Sequence, residues 1–266
     1  MTMMKSGDWT AIGGCVRGAS HVRSDMPCQD ALRIENIERC YIVSVSDGHG
    51  SAACPYSDEG AKIAVDTAFS VFSSIFKGKG DPIHTISTNK DIWLPKQIEQ
   101  NWKKTVQAVH DLKEREEIQD GTPFPYELYG ATLLSLIATD EFVFALQLGD
   151  GDILSITDTN VDWVIPPDDN LGPETNSLCQ DDCWQYMKTK ILRLEPGGKS
   201  PMFMLSTDGY ANSFYDNEGF KKAGADFYKL WNDESPGFIG DNLDGWLMES
   251  SAKGSGDDIS LVLLRS

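Results

Sequence analysis

Short apolar segments recur along the chain, and most of them are rich in Val, Ile, Leu, Phe or Thr. This pattern predicts β-strands over residues 10–16, 40–46, 131–138, 142–148, 190–194, 201–207 and 259–264. None of these segments approaches the roughly 18 apolar residues that a membrane-spanning helix needs. We therefore expect a water-soluble protein.

Apolar residues spaced by three, four and seven positions predict two amphipathic helices. The first begins after a possible N-cap at Ser57 or Asp58, and the second lies in the charged stretch 95–117. Weaker periodicity predicts helices over residues 220–231 and 238–251. The apolar positions of the two main helices are Ala61, Ala64, Val65, Ala68, Phe69 and Phe72, and then Ile98, Trp102, Val106, Val109 and Leu112.

The predicted elements follow the order strands, two helices, strands, two helices and a final strand. Because strand and helix do not alternate regularly, this order favours an α+β fold with helices packed on largely antiparallel sheets. The chain has no internal repeat or linker, so we expect one domain over residues 1–266. Residues 78–94 and 166–186 show no clear pattern, and irregular loops of this length are functional or mobile.

The chain of 266 residues carries 41 acidic and 23 basic side chains, which gives a formal net charge of −18. This charge repels phosphate backbones and anionic lipids, so nucleic acid and membrane surfaces are excluded as main partners. The start of the chain does not resemble a secretory signal, and the six cysteines are therefore expected to be free thiols in the cytoplasm. Cys179 and Cys183 lack further ligands at zinc spacing, and we interpret them as structural.

Aspartate outnumbers glutamate, with 27 residues against 14. Aspartate favours turns and helix caps, but it is also a common ligand of Mg²⁺ and Mn²⁺. Asp-Gly pairs at Asp47, Asp150 and Asp208 lie at or just after predicted strand ends, and Asp257-Asp258 precedes the last strand. Each pair alone is explained by a turn. If the four strand ends converge, their carboxylates would repel one another unless divalent ions bound between them.

His49 lies between two glycines, two residues after Asp47. A lone histidine is usually a hydrogen-bonded surface or core residue. Beside a metal-bound water, however, an imidazole is well located to donate a proton. No G-x-G-x-x-G segment follows a strand and no G-x-S-x-G segment occurs, so nucleotide binding and serine hydrolysis lose support.

Several short motifs occur in the order in which a known family has them. They are Gly18-Ala-Ser-His21 with Gln29-Asp30, Asp47-Gly-His-Gly50 with Gly60-Ala61, Gly130-Ala-Thr-Leu133, Gly149-Asp150, Ser206-Thr-Asp-Gly209 and Gly256-Asp-Asp-Ile-Ser260. Together they resemble the metal-dependent protein phosphatases, the type 2C serine/threonine phosphatases, and more narrowly their bacterial stand-alone branch. The resemblance extends from about residue 10 to residue 264.

The resemblance implies a four-layer α-β-β-α sandwich of two antiparallel sheets flanked by helices. A helical insertion would lie at about residues 77–128 and a flap-like loop at about 166–186. The resemblance also implies two Mg²⁺ or Mn²⁺ ions and a weaker third site. Asp47 would bridge two ions, the Gly48 carbonyl would bind one, Asp208 and Asp257 would bind the other, and Asp150 with Asp208 would form the third site.

The activity that the resemblance implies is hydrolysis of phosphoserine and phosphothreonine in proteins, in opposition to a Ser/Thr kinase. A hydroxide that bridges the ions at Asp47 would attack phosphorus in line. The ions would stabilise the developing charge, and His49 would protonate the leaving oxygen.

Several positions depart from the family pattern. Gln29-Asp30 stands where Glu-Asp is usual, so this pair would hold metal-bound water with one negative charge fewer. Asp25 replaces an arginine that grips substrate phosphate in many members, and Arg23 or His21 would have to take that role.

Asp152 and Asp258 stand where the family commonly has Arg and Asn, respectively. Both add negative charge near the expected site, where they would either raise metal occupancy or face solvent.

Two alternatives stay open from the sequence. A catalytically weak scaffold with the same fold would bind phosphoproteins without hydrolysing them, which Gln29 and the missing arginine would explain. An acidic, β-rich interaction protein would use its Asp-Gly pairs only as turns.

Overall fold

The structure, a computed structural model, describes residues 2–6, 9–37, 40–113, 115, 121–167, 175–195 and 200–266, with residues 2–6 described only in their backbone. The strands of this described part are β1 (Thr2–Ser6), β2 (Trp9–Val16), β3 (Ala31–Ile37), β4 (Cys40–Ser46), β5 (Leu133–Ala138), β6 (Phe142–Leu148), β7 (Asp152–Ile156), β8 (Val161–Trp163), β9 (Lys188–Arg193), β10 (Met202–Ser206) and β11 (Ile259–Arg265). Its helices are α1 (Ala19–Ser24), α2 (Ser57–Lys77), α3 (Pro82–Asn89), α4 (Trp93–Leu112), α5 (Asp208–Ala211), α6 (Asn217–Asp233) and α7 (Pro236–Lys253).

The strands form two antiparallel sheets. The first sheet has the order β1-β2-β11-β10-β7-β8, and the second has the order β3-β4-β5-β6-β9. Their central strands are mostly apolar and are buried at nearly every position, which is the pattern of a sheet that is covered on both faces.

Three apolar cores separate four layers. Between the sheets, alternate residues of facing strands pack together, among them Val43, Leu134, Phe203 and Val262. The opposite face of the second sheet packs on α2 and α4, and that of the first sheet packs on α6 and α7. The predicted α+β class and the four-layer α-β-β-α arrangement are therefore confirmed.

The helix α2 contacts α4 closely at one glycine. The carbonyl oxygen of Gly60 accepts a hydrogen bond of 3.0 Å from the Trp102 indole N–H, and Trp102 is fully buried. On its other side, Gly60 lies against the Tyr129 backbone. A Cβ at Gly60 would lie 1.8 Å from the Tyr129 carbonyl oxygen, so only glycine fits between Tyr129 and α4. This contact fixes α2, whose first turn follows the Asp47 loop in the chain.

Some predicted elements were wrong. Residues 78–94 were expected to be irregular, but Asp81 caps the helix α3 by accepting a hydrogen bond from the Ile83 N–H, and Pro82 fits its first turn. Leu112 was predicted on the apolar face of its helix but is 82% exposed, because α4 ends there. The strands β1, β3, β7 and β8 and the helices α1 and α5 were not predicted.

Within the described residues, no helix is both long enough and apolar enough to cross a membrane. Residues 114, 116 and 117 of the predicted second helix, and residues 168–174 of the flap-like loop, lie outside the described residues.

Candidate active site

The acidic strand ends converge on one cavity of about 190 Å³. It opens at the end of the sandwich, where β4 and β6 of one sheet and β10 and β11 of the other come together. Its lining residues are Asp47, Gly48, His49, Gly50, Asp150, Thr175, Asp208 and Asp257. The structure thus brings together Asp residues that are as far as 210 positions apart in the chain, as between Asp47 and Asp257.

Asp47 follows β4 and is held by Thr132, which precedes β5. The Thr132 N–H donates to the Asp47 carbonyl oxygen at 2.8 Å, and the Asp47 N–H donates to the Thr132 hydroxyl oxygen at 3.0 Å. Two hydrogen bonds to one residue fix the backbone that carries the carboxylate.

Asp208 follows β10 and begins the short helix α5. A Cβ on the next residue, Gly209, would lie 2.1 Å from the carbonyl oxygen of Asp258, so glycine is needed where these two loops meet. The Asp-Gly pair here serves close packing of two acidic loops, and this is why Asp208 and Asp257 reach the same cavity.

The ring of His49 packs against Gly130. A Cβ at Gly130 would lie 2.4 Å from the His49 Cδ2 atom and 3.4 Å from the Cys179 Sγ atom. The His49 N–H donates to the Gly130 carbonyl oxygen at 3.1 Å. Burial lowers the pKa of His49, and the charge of Asp150 opposes this shift. A further negative charge in the cavity would therefore favour the protonated ring.

Gln29 and Asp30 are buried beside the cavity but do not line it. The Gln29 amide donates to the Ser57 hydroxyl oxygen at 2.9 Å, and Asp30 Oδ2 accepts from the Thr207 hydroxyl at 2.8 Å. The other oxygen of each side chain, Gln29 Oε1 and Asp30 Oδ1, is buried without a hydrogen-bond partner among the described residues. Most buried oxygens in proteins have a hydrogen-bond partner, so these two are candidates to accept from a bound water.

The carboxylates around the cavity are crowded. Burial, together with the charges of Asp30, Asp208 and Asp257, raises the pKa of Asp47. Burial and neighbouring carboxylates also raise the pKa of Asp208 to about 6, and the pKa of Asp152 to about 6. Burial is the main cause of each shift, and neighbouring carboxylates add a repulsion that a cation would relieve.

Asp258 does not face solvent, as one sequence-based alternative had it. It is 3% exposed, and its carboxylate accepts hydrogen bonds from the Gly18 N–H at 2.5 Å, the Gln29 N–H at 2.6 Å and His21 Nδ1 at 2.9 Å. It thereby ties α1 and the Gln29-Asp30 segment to the last acidic loop.

His21, Asp257 and Asp258 form a compact group, with one ligand atom of each within 4.8 Å of the others. The Asp258 oxygens already accept three hydrogen bonds. The three side chains of the group therefore lie close together because Asp258 connects the loops that carry them. Of its three members, only Asp257 lines the cavity.

Two further residues considered from the sequence, Arg23 and Asp152, do not line the cavity, whereas Thr175 does. Arg23 on α1 is exposed, and its Nη2 atom is 4.0 Å from the position of a Cβ on Gly256, next to Asp257. Asp152 accepts a hydrogen bond of 2.5 Å from the Trp163 indole N–H. Thr175, after the segment outside the described residues, donates to Asp150 Oδ2 at 2.6 Å.

Several polar residues that support the site had been given no role on sequence grounds. Thr132, Thr207 and Ser57 hold Asp47, Asp30 and Gln29, respectively, and Thr175 contacts Asp150. Thr132 and Thr207 lie inside the quoted motifs, so their position beside acidic strand ends was an available signal. Ser57 and Thr175 had no comparable signal, because their contacts depend on how separate loops meet.

The donor set fits a hard divalent cation. Carboxylate oxygens of Asp47, Asp150, Asp208 and Asp257 surround the cavity, and its described lining contains no cationic side chain other than the His49 ring. Mg²⁺ and Mn²⁺ prefer oxygen ligands of this type. Beside the cavity, the unpartnered oxygens of Gln29 and Asp30 have acceptor capacity left for water.

The chain is similar to known phosphatases. The profile of a family described as Protein phosphatase 2C matches residues 17–248. The curated Escherichia coli (strain K12) protein named Serine/threonine-protein phosphatase 3 is 24% identical over 152 residues, which cover 55% of this chain and 53% of that protein. The chain therefore spans about half the length of this curated relative.

Solved structures have the same fold. The serine/threonine phosphatase Stp1 from Staphylococcus aureus superposes with a TM-score of 0.65 at 17% identity, covering 96% of this chain and 94% of that chain. The catalytic domain of the serine threonine protein phosphatase PstP, solved in complex with two manganese ions, has a TM-score of 0.57 at 12% identity, covering 97% and 98%. Since the family profile matches most of its length, the chain belongs to the protein phosphatase 2C family.

Proposed function

We propose that this protein hydrolyses phosphoserine and phosphothreonine in phosphoproteins with the help of bound Mg²⁺ or Mn²⁺. One observation carries the proposal: Asp47, Asp150, Asp208 and Asp257 line a single cavity together with His49. A merely turn-forming role for the Asp-Gly pairs gives no reason for this convergence.

In this proposal, Asp47, the Gly48 carbonyl, Asp208 and Asp257 would hold two ions, and Asp150 with Asp208 would hold a weaker third. When bound, the ions would activate water for in-line attack and stabilise charge on the phosphoryl oxygens. Gln29 and Asp30 would accept hydrogen bonds from water at the ions, through the buried oxygens that have no partner among the described residues.

His49 would donate a proton to the leaving Ser or Thr oxygen. Its ring packs on Gly130, and its backbone N–H is bonded to the carbonyl oxygen of that residue, so its approach to the cavity is restricted. Although burial lowers the pKa of His49, a phosphate dianion in the cavity would act in the same direction as Asp150 and favour the protonated ring.

Arg23 is the better candidate for the phosphate anchor. It is exposed beside Gly256, whereas Nδ1 of His21 is engaged by Asp258. A guanidinium group can bind a phosphate through two hydrogen bonds. We expect Arg23→Ala to raise KM for a phosphothreonine peptide more than it lowers kcat.

The scaffold alternative was motivated by Gln29. Its amide donates to Ser57, which leaves Oε1 as a buried acceptor near the cavity, so the neutral side chain still offers an oxygen. This feature favours an active enzyme over a scaffold. A Ser/Thr kinase that phosphorylates the same substrate, a cytoplasmic location and a single domain over residues 1–266 remain parts of the proposal.

The test is Mn²⁺-dependent hydrolysis of p-nitrophenyl phosphate and of a phosphothreonine peptide. We expect Asp208→Asn to lower kcat/KM at least about 100-fold, in the range caused by loss of an electrostatic stabiliser. Asp158→Asn, an exposed aspartate of the same chain, is the matched control. Metal-loaded wild-type protein that turns over neither substrate would support the scaffold instead.

A further inference from the structure

Two cysteine thiols lie next to each other outside the cavity. The Sγ atoms of Cys15 and Cys28 are 3.8 Å apart, and both thiols lie within reach of the same carbonyl oxygen, that of Asp30, at 3.7 Å and 3.9 Å. Neither thiol has a part in the proposed hydrolysis. All six cysteines are free in the structure, and for the described residues no other sulfur–sulfur contact of this kind is found.

The pair is accessible, and one partner lies outside regular secondary structure. Cys15 is exposed near the end of β2, where it pairs with Ser260 of β11, so its backbone is fixed. Cys28 is half-buried and ends an irregular segment whose residues 25–27 are exposed. Adjustment of this segment would bring the sulfur atoms from 3.8 Å to the about 2.05 Å of a disulfide.

We propose that Cys15 and Cys28 form an oxidisable dithiol, a modification site that a peroxide converts into an intramolecular disulfide. One sulfur attacks a peroxide oxygen, the O–O bond breaks, and the products are a sulfenic acid and water. The second sulfur then attacks the sulfenic sulfur, the S–S bond forms, and a second water leaves. Two thiols lose two electrons and two protons in total, and the peroxide is reduced to two waters.

The disulfide would act on the cavity through the Gln29-Asp30 segment. Cys28 directly precedes Gln29, whose N–H donates to Asp258 and whose carbonyl oxygen accepts from the Gly48 N–H. Oxidation removes both thiol donors from the Asp30 carbonyl oxygen and pulls on the chain next to Gln29. This effect of the disulfide on metal binding rests on the proposed function. Disturbance of the groups that orient metal ligands typically weakens metal binding about 10- to 100-fold. We therefore expect about tenfold weaker Mn²⁺ binding after oxidation.

The experiment treats the full chain with hydrogen peroxide and digests it without reduction for mass spectrometry. We expect a Cys15–Cys28 linked peptide that lacks two hydrogens and disappears with dithiothreitol. The variants Cys15→Ser and Cys28→Ser should each abolish it, whereas Cys40→Ala, which removes a buried thiol, should retain it. Phenylarsine oxide binds two neighbouring thiols at once. Added before peroxide, it should prevent formation of the linked peptide in the wild type.

The results separate the two steps. Peroxide-treated wild type in which Cys15 and Cys28 stay reduced, or link to other cysteines, overturns the dithiol. A disulfide that leaves the Mn²⁺ Kd unchanged in calorimetry overturns the coupling to the cavity. Failure of the reduced protein to bind Mn²⁺ overturns the proposed function instead, and the linked peptide remains a test of the dithiol alone.

Discussion

Replacement of the single residue His49 tests its proposed role as proton donor. Replacement by alanine removes the ring beside Gly130 but leaves every carboxylate of the cavity, so we expect kcat to fall about 10²- to 10⁴-fold with little change in the Mn²⁺ Kd. Steady-state kinetics and calorimetry measure the two quantities. His84→Ala, an exposed histidine on α3, is the control. Wild-type kcat in the His49 variant would contradict the assigned role.

Asp258 tests the hydrogen bonds that connect the loops. Asparagine has one acceptor oxygen, so Asp258→Asn leaves at least one of the donors from Gly18, Gln29 or His21 facing an amide N–H. We expect the free energy of unfolding to fall by about 1–3 kcal/mol.

Urea unfolding of this variant in about 1 M salt measures the effect while screening the neighbouring carboxylates. The exposed Asp158→Asn should change stability by less than about 0.5 kcal/mol. Equal stability of the two variants would show that the buried hydrogen bonds of Asp258 contribute nothing.

At the residue scale, the chemical types of the site residues could be predicted from the sequence, but most of their contacts could not. Aspartate and histidine are the types that metal hydrolysis needs, so Asp47, His49 and Asp208 stood out from their position after strands. The burial of Asp258 could not be predicted, because its three donors come from positions 229 to 240 residues away. Only the packing of α1 against the last acidic loop decides between solvent and a buried carboxylate.

Among the elements, α4 tests how the helical layer packs. Trp102 is fully buried, packs in the core beneath α2 and donates to Gly60, so Trp102→Ala should lower the free energy of unfolding by about 3–5 kcal/mol. Trp93→Ala on the same helix removes a side chain that is 45% exposed and should cost less than about 1 kcal/mol. Thermal or urea unfolding compares them, and similar losses would contradict this packing.

Elements with an apolar pattern were predicted correctly, including the weakly periodic helices α6 and α7, whereas several short elements were not. The apolar face of α2 and the fully buried β4 match the expectation. In contrast, β3 contains Arg33 and Glu35 among its apolar residues and lies at a sheet edge, where five of its seven residues stay partly exposed. The helix α3 was missed although Asp81 and Pro82 are capping signals, because its eight residues lack a long apolar face.

For the whole molecule, the crowded carboxylates predict that metal binding releases protons. The proposed ligand Asp208 has a pKa raised to about 6, so below pH 6 it retains a proton that a cation must displace. Calorimetry in buffers of different ionisation enthalpy should detect proton release at pH 6 that declines towards pH 8, together with tighter Mn²⁺ binding. Equal proton release at both pH values would contradict the crowding.

The same pKa shifts determine how the stability of the metal-free protein changes with pH. A carboxyl whose folded pKa lies above the unfolded value of about 4 binds more protons in the folded state. The contribution of Asp208 and Asp152 to stability is therefore present at low pH and is lost as the pH rises from about 4 to about 6.

The assembly of the cavity is the feature that local patterns alone could not supply. Each acidic strand end was visible in the sequence, but a turn explained each one equally well. The order of motifs and the family resemblance supplied the expectation of convergence, and the two sheets that meet at one end provide its physical basis.

Anomalous scattering from a crystal soaked in Mn²⁺ tests the central claim most directly. Two manganese peaks should lie in the cavity between Asp47, Asp208 and Asp257, within ligand distance of their oxygens. A fully soaked crystal with no peak there, or with a peak only beside His21 and Asp258, would contradict the account.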